Sequence, residues 1–335
     1  MMEMCRRCVQ SAHVPGVSLD QDGVCSVCRE YEAQQVSYDA YFKAEAQLWE
    51  RLDAVRARSA AADHDVALMY SGGKDSTYVL CRLVERGYRV LAITFDNGYI
   101  PRACFDNIER VCAALGVESL ILSLEKRAMD RVFKLSLDAD ADVCTGCYRA
   151  LSAGGTRTAI ARGIPIVMTG LSRGQIFETK VHALLRDGVS DPEEIDAYLA
   201  EFRKLYHSKS GEVGQLVGDQ ALVEQGGFSE VQFLDFFRYS AATKEEIMSL
   251  LTTRLSFWTK PENVGSCSSN CMINDVGIAA TLDRRGYHSY AVSASWDIRF
   301  GHETRAHALS EIEEPLDRDR IRRILRVIDP SPEQT

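Results

Sequence analysis

The sequence lacks the features that mark membrane, secreted and disordered chains. No apolar run approaches the roughly 18 residues of a membrane span, which excludes an integral helical membrane protein. The stretch Met1 to Cys8 carries Arg6 and Arg7 but no apolar segment follows them. A secretory signal is therefore not expected, and the chain is expected in the cytoplasm. Prolines are few, at eight in 335 residues, and no short repeat or low-complexity tract is present. Basic charge is in deficit: 39 Lys and Arg stand against 48 Asp and Glu, a net charge of −9. That balance argues against broad coating of nucleic acid and leaves a local basic contact open. Cysteine, by contrast, is plentiful, with eleven. In a chain without an export signal these thiols stay reduced, so metal binding and catalysis outrank a disulfide framework.

Four of the cysteines open the chain as two CxxC pairs, Cys5 with Cys8 and Cys25 with Cys28. Two such knuckles can supply four thiolates to one tetrahedral Zn2+. The segment between them is short and polar, with turn formers at Pro15, Gly16 and Gly23, so a metal would be its main source of stability. Residues 1–30 thus read as a zinc ribbon. Residues 31–63 follow as a helical linker, in which Tyr41, Ala44, Leu48, Leu52 and Val55 recur at helical steps as one apolar stripe.

From residue 64 the texture changes to alternating strand and helix signals. Val66–Tyr70, Val90–Phe95, Leu120–Leu124, Ile164–Thr169 and Val231–Phe236 read as strands. Helical patterns between them end at glycines such as Gly87 and Gly116. Such alternation predicts an α/β fold, a doubly wound parallel sheet covered on both faces, over residues 64–255. Ligands bind such sheets at the carboxyl ends of the strands. Cys81, Cys104 and Cys112 fall in the helical stretches and read as packing residues.

Directly after the first strand stands Ser71-Gly72-Gly73-Lys74-Asp75-Ser76. Paired glycines bring backbone N–H groups close to an anion, and the following helix directs its positive end at the same point. Ser71 and Ser76 add hydroxyl groups and Lys74 a charge, while Asp75 can help hold Mg2+ or position the loop. The hexapeptide in this strand–loop–helix setting resembles the loop of the PP-loop ATP pyrophosphatases, the adenine nucleotide alpha hydrolase-like (HUP-like) superfamily. Thr94-Phe95-Asp96-Asn97-Gly98 is similar to the segment that borders the adenine there. The resemblance implies ATP held by residues 71 to 76 with Asp96 and Gly170, with Asp75 catalytic. It also implies attack of a substrate oxygen on the α-phosphorus and release of pyrophosphate. The ribbon is similar to that of N-acetyl sugar amidotransferases, and ribbons of this spacing also open a group of tRNA 2-thiouridine synthetases.

A second constellation is Cys144-Thr145-Gly146-Cys147, with Cys267 and Cys271 downstream. In the iron–sulfur tRNA thiolation branch a CxxC occupies a similar place with a third cysteine beyond it. The resemblance implies a [4Fe–4S] cluster held by Cys144, Cys147 and one of Cys267 and Cys271, the first two being catalytic. A second structural zinc, or simple packing, stays open for these four. The segment Gly170 to Glu178 departs from the Gly-His and acidic pattern of the superfamily, which weakens tRNA as the substrate. Arg173 and Lys180 are candidate phosphate contacts there, and Gln175 and Glu178 candidate substrate contacts.

Residues 256–335 are richer in aromatics and read as a small, substrate-facing C-terminal lobe. Its last helix carries Arg318, Arg322 and Arg326 on one face, read as solvated. The expectation for the whole is an enzyme that adenylates a substrate oxygen and replaces it with sulfur, on a small-molecule or carrier-bound substrate. A sulfur donor protein or sulfide would supply the sulfur. The alternatives are amidation with ammonia from a glutaminase partner, and tRNA thiolation. A homodimer is left open.

Overall fold

The computed structural model describes residues 3–58, 62–209, 211–262, 264, 267 and 270–330. One parallel sheet of five strands lies at its centre, in the order β3-β2-β1-β4-β5. The strands are β1 (Val66–Met69), β2 (Val90–Asp96), β3 (Glu118–Ser123), β4 (Ile166–Thr169) and β5 (Gln232–Asp235). Leu68 stands opposite Ala92 on one side and Met168 on the other. The winding reverses at β1, so a crevice opens beyond its carboxyl end, where such sheets place ligands.

Around the sheet run α1 (Ser26–Asp39), α2 (Glu45–Arg58), α3 (Lys74–Glu85), α4 (Arg102–Leu115), α5 (Lys126–Asp140) and α6 (Cys144–Ala161). Alternation along β1 sorts its side chains between two cores. Val66 and Leu68 join the core that includes α3 and α4, while Ala67 and Met69 join the one beneath α6. Helix α6 approaches closely because Gly155 leaves room: a Cβ there would lie 2.2 Å from Met69 Cε. Strands β1 and β4 are wholly buried, whereas edge strand β3 keeps Ile121 half exposed. Cover on both faces thus holds for the centre of the sheet and thins at its edge.

The stretch 31–63, expected as one helical linker, is two helices broken at residues 40–44, with residues 59–61 outside the described set. The break is tied to the body of the fold by Lys43 N–H donating to the Arg238 carbonyl at 2.9 Å. Tyr41, Leu48 and Leu52 are buried as the stripe implies, but Ala44 is exposed. Trp49, off that stripe, is buried against Tyr88 and Phe236.

After β4 come α7 (Arg173–Ile176), a π-helical turn (Phe177–Val181) and α8 (His182–Arg186). Four helices follow before β5: α9 (Pro192–Ser208), α10 (Glu212–Val217), α11 (Gln220–Glu224) and α12 (Gly227–Glu230). A buried ionic triad docks them on α6. Arg149 donates to Asp219 at 2.6 and 3.0 Å and to the His207 carbonyl at 2.8 Å, and His207 Nδ1 lies 2.7 Å from Asp219. Burial raises the Asp219 carboxyl, but His207 and Arg149 outweigh it and hold the pKa below the ordinary value. Removing the shared carboxylate would strand the Arg149 charge in the interior. Asp219→Ala is therefore expected to lower stability by about 3–5 kcal/mol, read by urea denaturation, with the isosteric Asp219→Asn losing less.

The remaining helices are α13 (Lys244–Arg254), α14 (Asn274–Arg285), α15 (Tyr290–Arg299), α16 (Arg305–Ile312) and α17 (Arg318–Ile328). Thr243 and Glu246 close a capping box on α13, a Thr-x-x-Glu pattern of the sequence. On α17 Ile321, Ile324 and Ile328 are buried while Arg318, Arg322 and Arg326 face solvent. No described helix is long and apolar enough to cross a membrane.

Candidate active site and metal-binding groups

The ribbon cysteines come together as their spacing implies. All four are buried, with Cys5 and Cys28 Sγ 4.0 Å apart and Cys8 and Cys25 Sγ 3.7 Å apart. Sulfur atoms about 2.3 Å from a tetrahedral zinc stand about 3.8 Å from one another, and disulfide sulfurs only about 2 Å. The donor set fits one Zn2+. Backbone N–H groups of Arg7, Gln10, Cys25 and Cys28 donate to these sulfurs at 3.2–3.4 Å, and Arg299 lies against Cys8 and Cys25 at 3.4 and 3.5 Å. Both kinds of donor favour thiolates. Arg305 binds the Cys5 and Cys8 carbonyls, and Tyr31 and Tyr38 pack on Trp296, so the ribbon is fastened to α15 and α16.

At the switch point Ser71–Ser76 forms a tight loop from β1 into α3. Gly72 takes a left-handed φ of +73°, and a Cβ there would lie 2.6 Å from Ile108 Cγ1. Ser71 and Ser76 hydroxyls meet at 3.0 Å, Gly73 N–H donates to Ser71 Oγ at 3.3 Å, and Lys74 pairs with Asp75 at 2.8 Å. Gly73 caps α3 without a side-chain bond, which leaves first-turn N–H groups facing the crevice. Gly170, at the end of β4, passes so near that its Cβ would lie 3.1–3.2 Å from Ser76 Cα and N. Asp96, at the end of β2, accepts Gly98 N–H at 2.8 Å.

The loop floors a cleft of about 1200 Å3 whose far wall is the C-terminal lobe. Trp258 donates its indole N–H to the Gly72 carbonyl at 3.1 Å, and Asn270 its amide to the Ser71 carbonyl at 3.2 Å. Lys244, His302 and the trio Glu303, His307 and Glu311 also line the cleft. Lys244 bridges Glu303 and Glu311, with Nζ 3.0 Å from the latter. Sequence reasoning missed these groups. Lys244 beside the capping box was the one with a local signal, since that box placed a helix start there.

The second constellation gathers behind the end of β2. Asn97 donates its amide to Cys147 Sγ at 3.7 Å and to Cys271 Sγ at 3.3 Å. Cys144 lies one turn before Cys147 at the start of α6. It is exposed and borders a chamber beside the cleft. Cys267 is placed apart, lining the cleft of the 71–76 loop with its thiol 3.6 Å from the Glu311 carbonyl. Desolvation first, and neighbouring carboxylate and thiol groups second, push Cys144 well above the ordinary thiol value and Cys147 up to about 12. Desolvation also raises Cys271. Cys147 and Cys271 thus share one amide, whereas Cys144 acts on them only at a distance, and among the described residues the three do not close into a single-ion site as the ribbon cysteines do.

The glycine of the CxxC pair has a packing reason. A Cβ on Gly146 would lie 2.5 Å from both Ser136 Oγ and Val132 Cγ1, on the facing α5. Gly146→Ala is expected to lose about 1–3 kcal/mol through this overlap, measurable as a lowered urea midpoint. Arg173 does not line the loop cleft but borders a smaller pocket with Lys74 and Asp75; it donates to the Phe237 and Ser240 carbonyls and covers the Phe42 ring at 4.3 Å. Lys180 is bound to Asp235 at 2.6 Å, and Gln175 caps α7 while lining the cleft.

Residues 65–146 match the family described as queuosine biosynthesis protein QueC. They carry the loop, β1 to β3 and the first CxxC cysteine. The core belongs to the PP-loop ATP pyrophosphatase superfamily. A 7-cyano-7-deazaguanine synthase of Pseudoalteromonas atlantica is 34% identical over 83 residues, covering 25% of this chain and 38% of that protein. Argininosuccinate synthase of Lacticaseibacillus paracasei is 29% identical over 155 residues, covering 41% of this chain and 35% of that one. The chain therefore spans little more than a third of the length of these curated relatives. Among solved structures, an NH3-dependent NAD synthetase from Campylobacter jejuni aligns at 13% identity with a TM-score of 0.30, over 54% of this chain and 96% of its own.

Proposed function

We propose that this PP-loop protein is an ATP-using enzyme that adenylates a substrate oxygen and replaces it with sulfur. The observation that carries the reading is the placement of two chemistries at one sheet edge. The anion-binding loop of residues 71–76 lies beyond β1, and Cys144, Cys147 and Cys271 gather beside the end of β2. In this reading the first-turn N–H groups of α3, Lys74 and the Ser71 and Ser76 hydroxyls hold the pyrophosphate, and Asp75 positions Mg2+. Asp96 and Gly170 border the nucleotide. Attack of the substrate oxygen on the α-phosphorus forms an O–P bond and expels pyrophosphate. A C–S bond then forms as the C–O bond breaks, and AMP leaves with the oxygen. Cys271, rather than Cys267, is the third thiol of the sulfur-handling set, since it alone of the two shares Asn97 with Cys147. A [4Fe–4S] cluster on Cys144, Cys147 and Cys271 would supply an open iron able to carry sulfide.

The test is the nucleotide product. Anaerobic protein given α-labelled ATP, Mg2+ and sulfide should form AMP and pyrophosphate, and Asp75→Ala should lose that turnover. Formation of ADP and phosphate would overturn adenylation. Turnover that requires ammonium and ignores sulfide would retain adenylation and replace sulfur transfer with amidation.

A further inference from the structure

Beside the loop cleft lies a second cavity of about 510 Å3 into which Cys144 opens. Tyr148, Leu171, Gln175 and Tyr290 line both spaces, so the chamber and the ATP-loop cleft share a wall. Its lining includes Leu199, Phe202 and Tyr206 from α9 and Ile278 from α14, with Phe202 exposed at the rim. Helix α9 lies outside the segment matched by the QueC family, and of the chamber's lining only Asp142, Cys144 and Thr145 fall within that segment. The π-helical turn Phe177–Val181 brings Glu178 and Lys180 to the same cavity, and such turns recur at functional sites.

Charge in the chamber is nearly all accounted for. Lys180 is neutralised by Asp235, and His207 is bound to Asp219 at 2.7 Å. Asp142 accepts from the Thr145 N–H and hydroxyl at 2.9 and 2.8 Å, serving the start of α6. Burial lifts the Glu178 carboxyl to about 7. Arg203 is the exception. Its guanidinium covers the Phe233 ring at 3.9 Å and, among the described residues, forms no ion pair. Asp235 acts on it only at a distance, being held by Lys180 at 2.6 Å and by Thr169 at 2.5 Å. Desolvation pushes Arg203 below the ordinary guanidinium value, the mark of a cation that still wants a counter-charge.

We propose that this chamber is the acceptor subsite, and that it takes an aromatic molecule whose anionic group pairs with Arg203. The proposal rests on the adenylation reading for its place in a reaction. Its chemistry rests on the cavity alone. Aromatic walls favour a flat ring, and a half-buried guanidinium without an ion pair favours a carboxylate that can accept two N–H bonds. The shared wall would admit the acceptor's reacting oxygen toward the nucleotide while Cys144 faces the same molecule.

The test is calorimetric titration of the full chain with indole-3-carboxylate and with uncharged indole. The carboxylate is expected to bind once per chain, at least about tenfold tighter than indole. Arg203→Gln should bring the carboxylate down to the indole level, Arg203→Lys should restore much of the difference, and Leu199→Trp should block both by filling the cavity. Binding of a non-hydrolysable ATP analogue should persist in all three variants. Absence of carboxylate binding, or binding unchanged in Arg203→Gln and Leu199→Trp, overturns the proposal. Because no turnover is measured, a failure of adenylation would leave this result standing, and the reverse holds too.

Discussion

Replacement of Gly170 by valine is expected to reduce ATP turnover by at least about a hundredfold while the protein stays folded. The glycine ends β4 where the backbone of α3 begins, and even a methyl group would stand 3.1–3.2 Å from Ser76 Cα and N. The obstructing atoms are backbone and cannot rotate away. A branched side chain must therefore push the first turn of α3 off its position, and with it the N–H groups that face the crevice. Each charge-assisted bond to a phosphate is worth about 1.5–3 kcal/mol, so misplacing two of them accounts for a hundredfold or more. Steady-state turnover beside analogue binding checks this: both should fall together. Unchanged nucleotide binding in Gly170→Val would mean that phosphate sits elsewhere in the cleft.

The second large effect concerns the ribbon. Cys25→Ser is expected to bring zinc from about one per chain to near none and to lower the melting temperature by about 10 °C or more. The loss reaches beyond residues 1–30 because Arg299 would face a depleted set of thiolates, and Arg305 binds carbonyls whose positions the metal fixes. Tyr31 and Tyr38 would also loosen from Trp296, which is 1% exposed and packs on Phe177 and Phe300. Metal analysis with differential scanning calorimetry checks both halves. Full stability without zinc would show the ribbon held by packing alone.

How much of this was legible in the sequence follows from how local each signal is. The loop at residues 71–76, the paired CxxC of the ribbon and the capping box at Thr243 are short patterns whose geometry is set within a few residues. The strands of the sheet centre were legible because buried parallel strands read as short apolar runs. Edge strand β3 begins at Glu118, earlier than its apolar run, because exposed edge positions carry no hydrophobic signal. The break between α1 and α2 was hidden, since the stripe continued across residues that leave the helix to reach Arg238. Pairing Cys271 with Cys147, and bringing Lys244 and His302 to a loop far earlier in the chain, depend on tertiary packing that no local pattern encodes. The π-helical turn depends on one extra residue per turn, and its composition gives no sign of that.

Iron, zinc and acid-labile sulfide, measured per chain in protein purified without oxygen, test the central claim most directly. The account predicts about one zinc with about four iron and four sulfide. It further predicts that Cys144→Ser loses the iron and sulfide but keeps the zinc. Protein that holds zinc alone, and whose turnover is indifferent to Cys144→Ser, would contradict it.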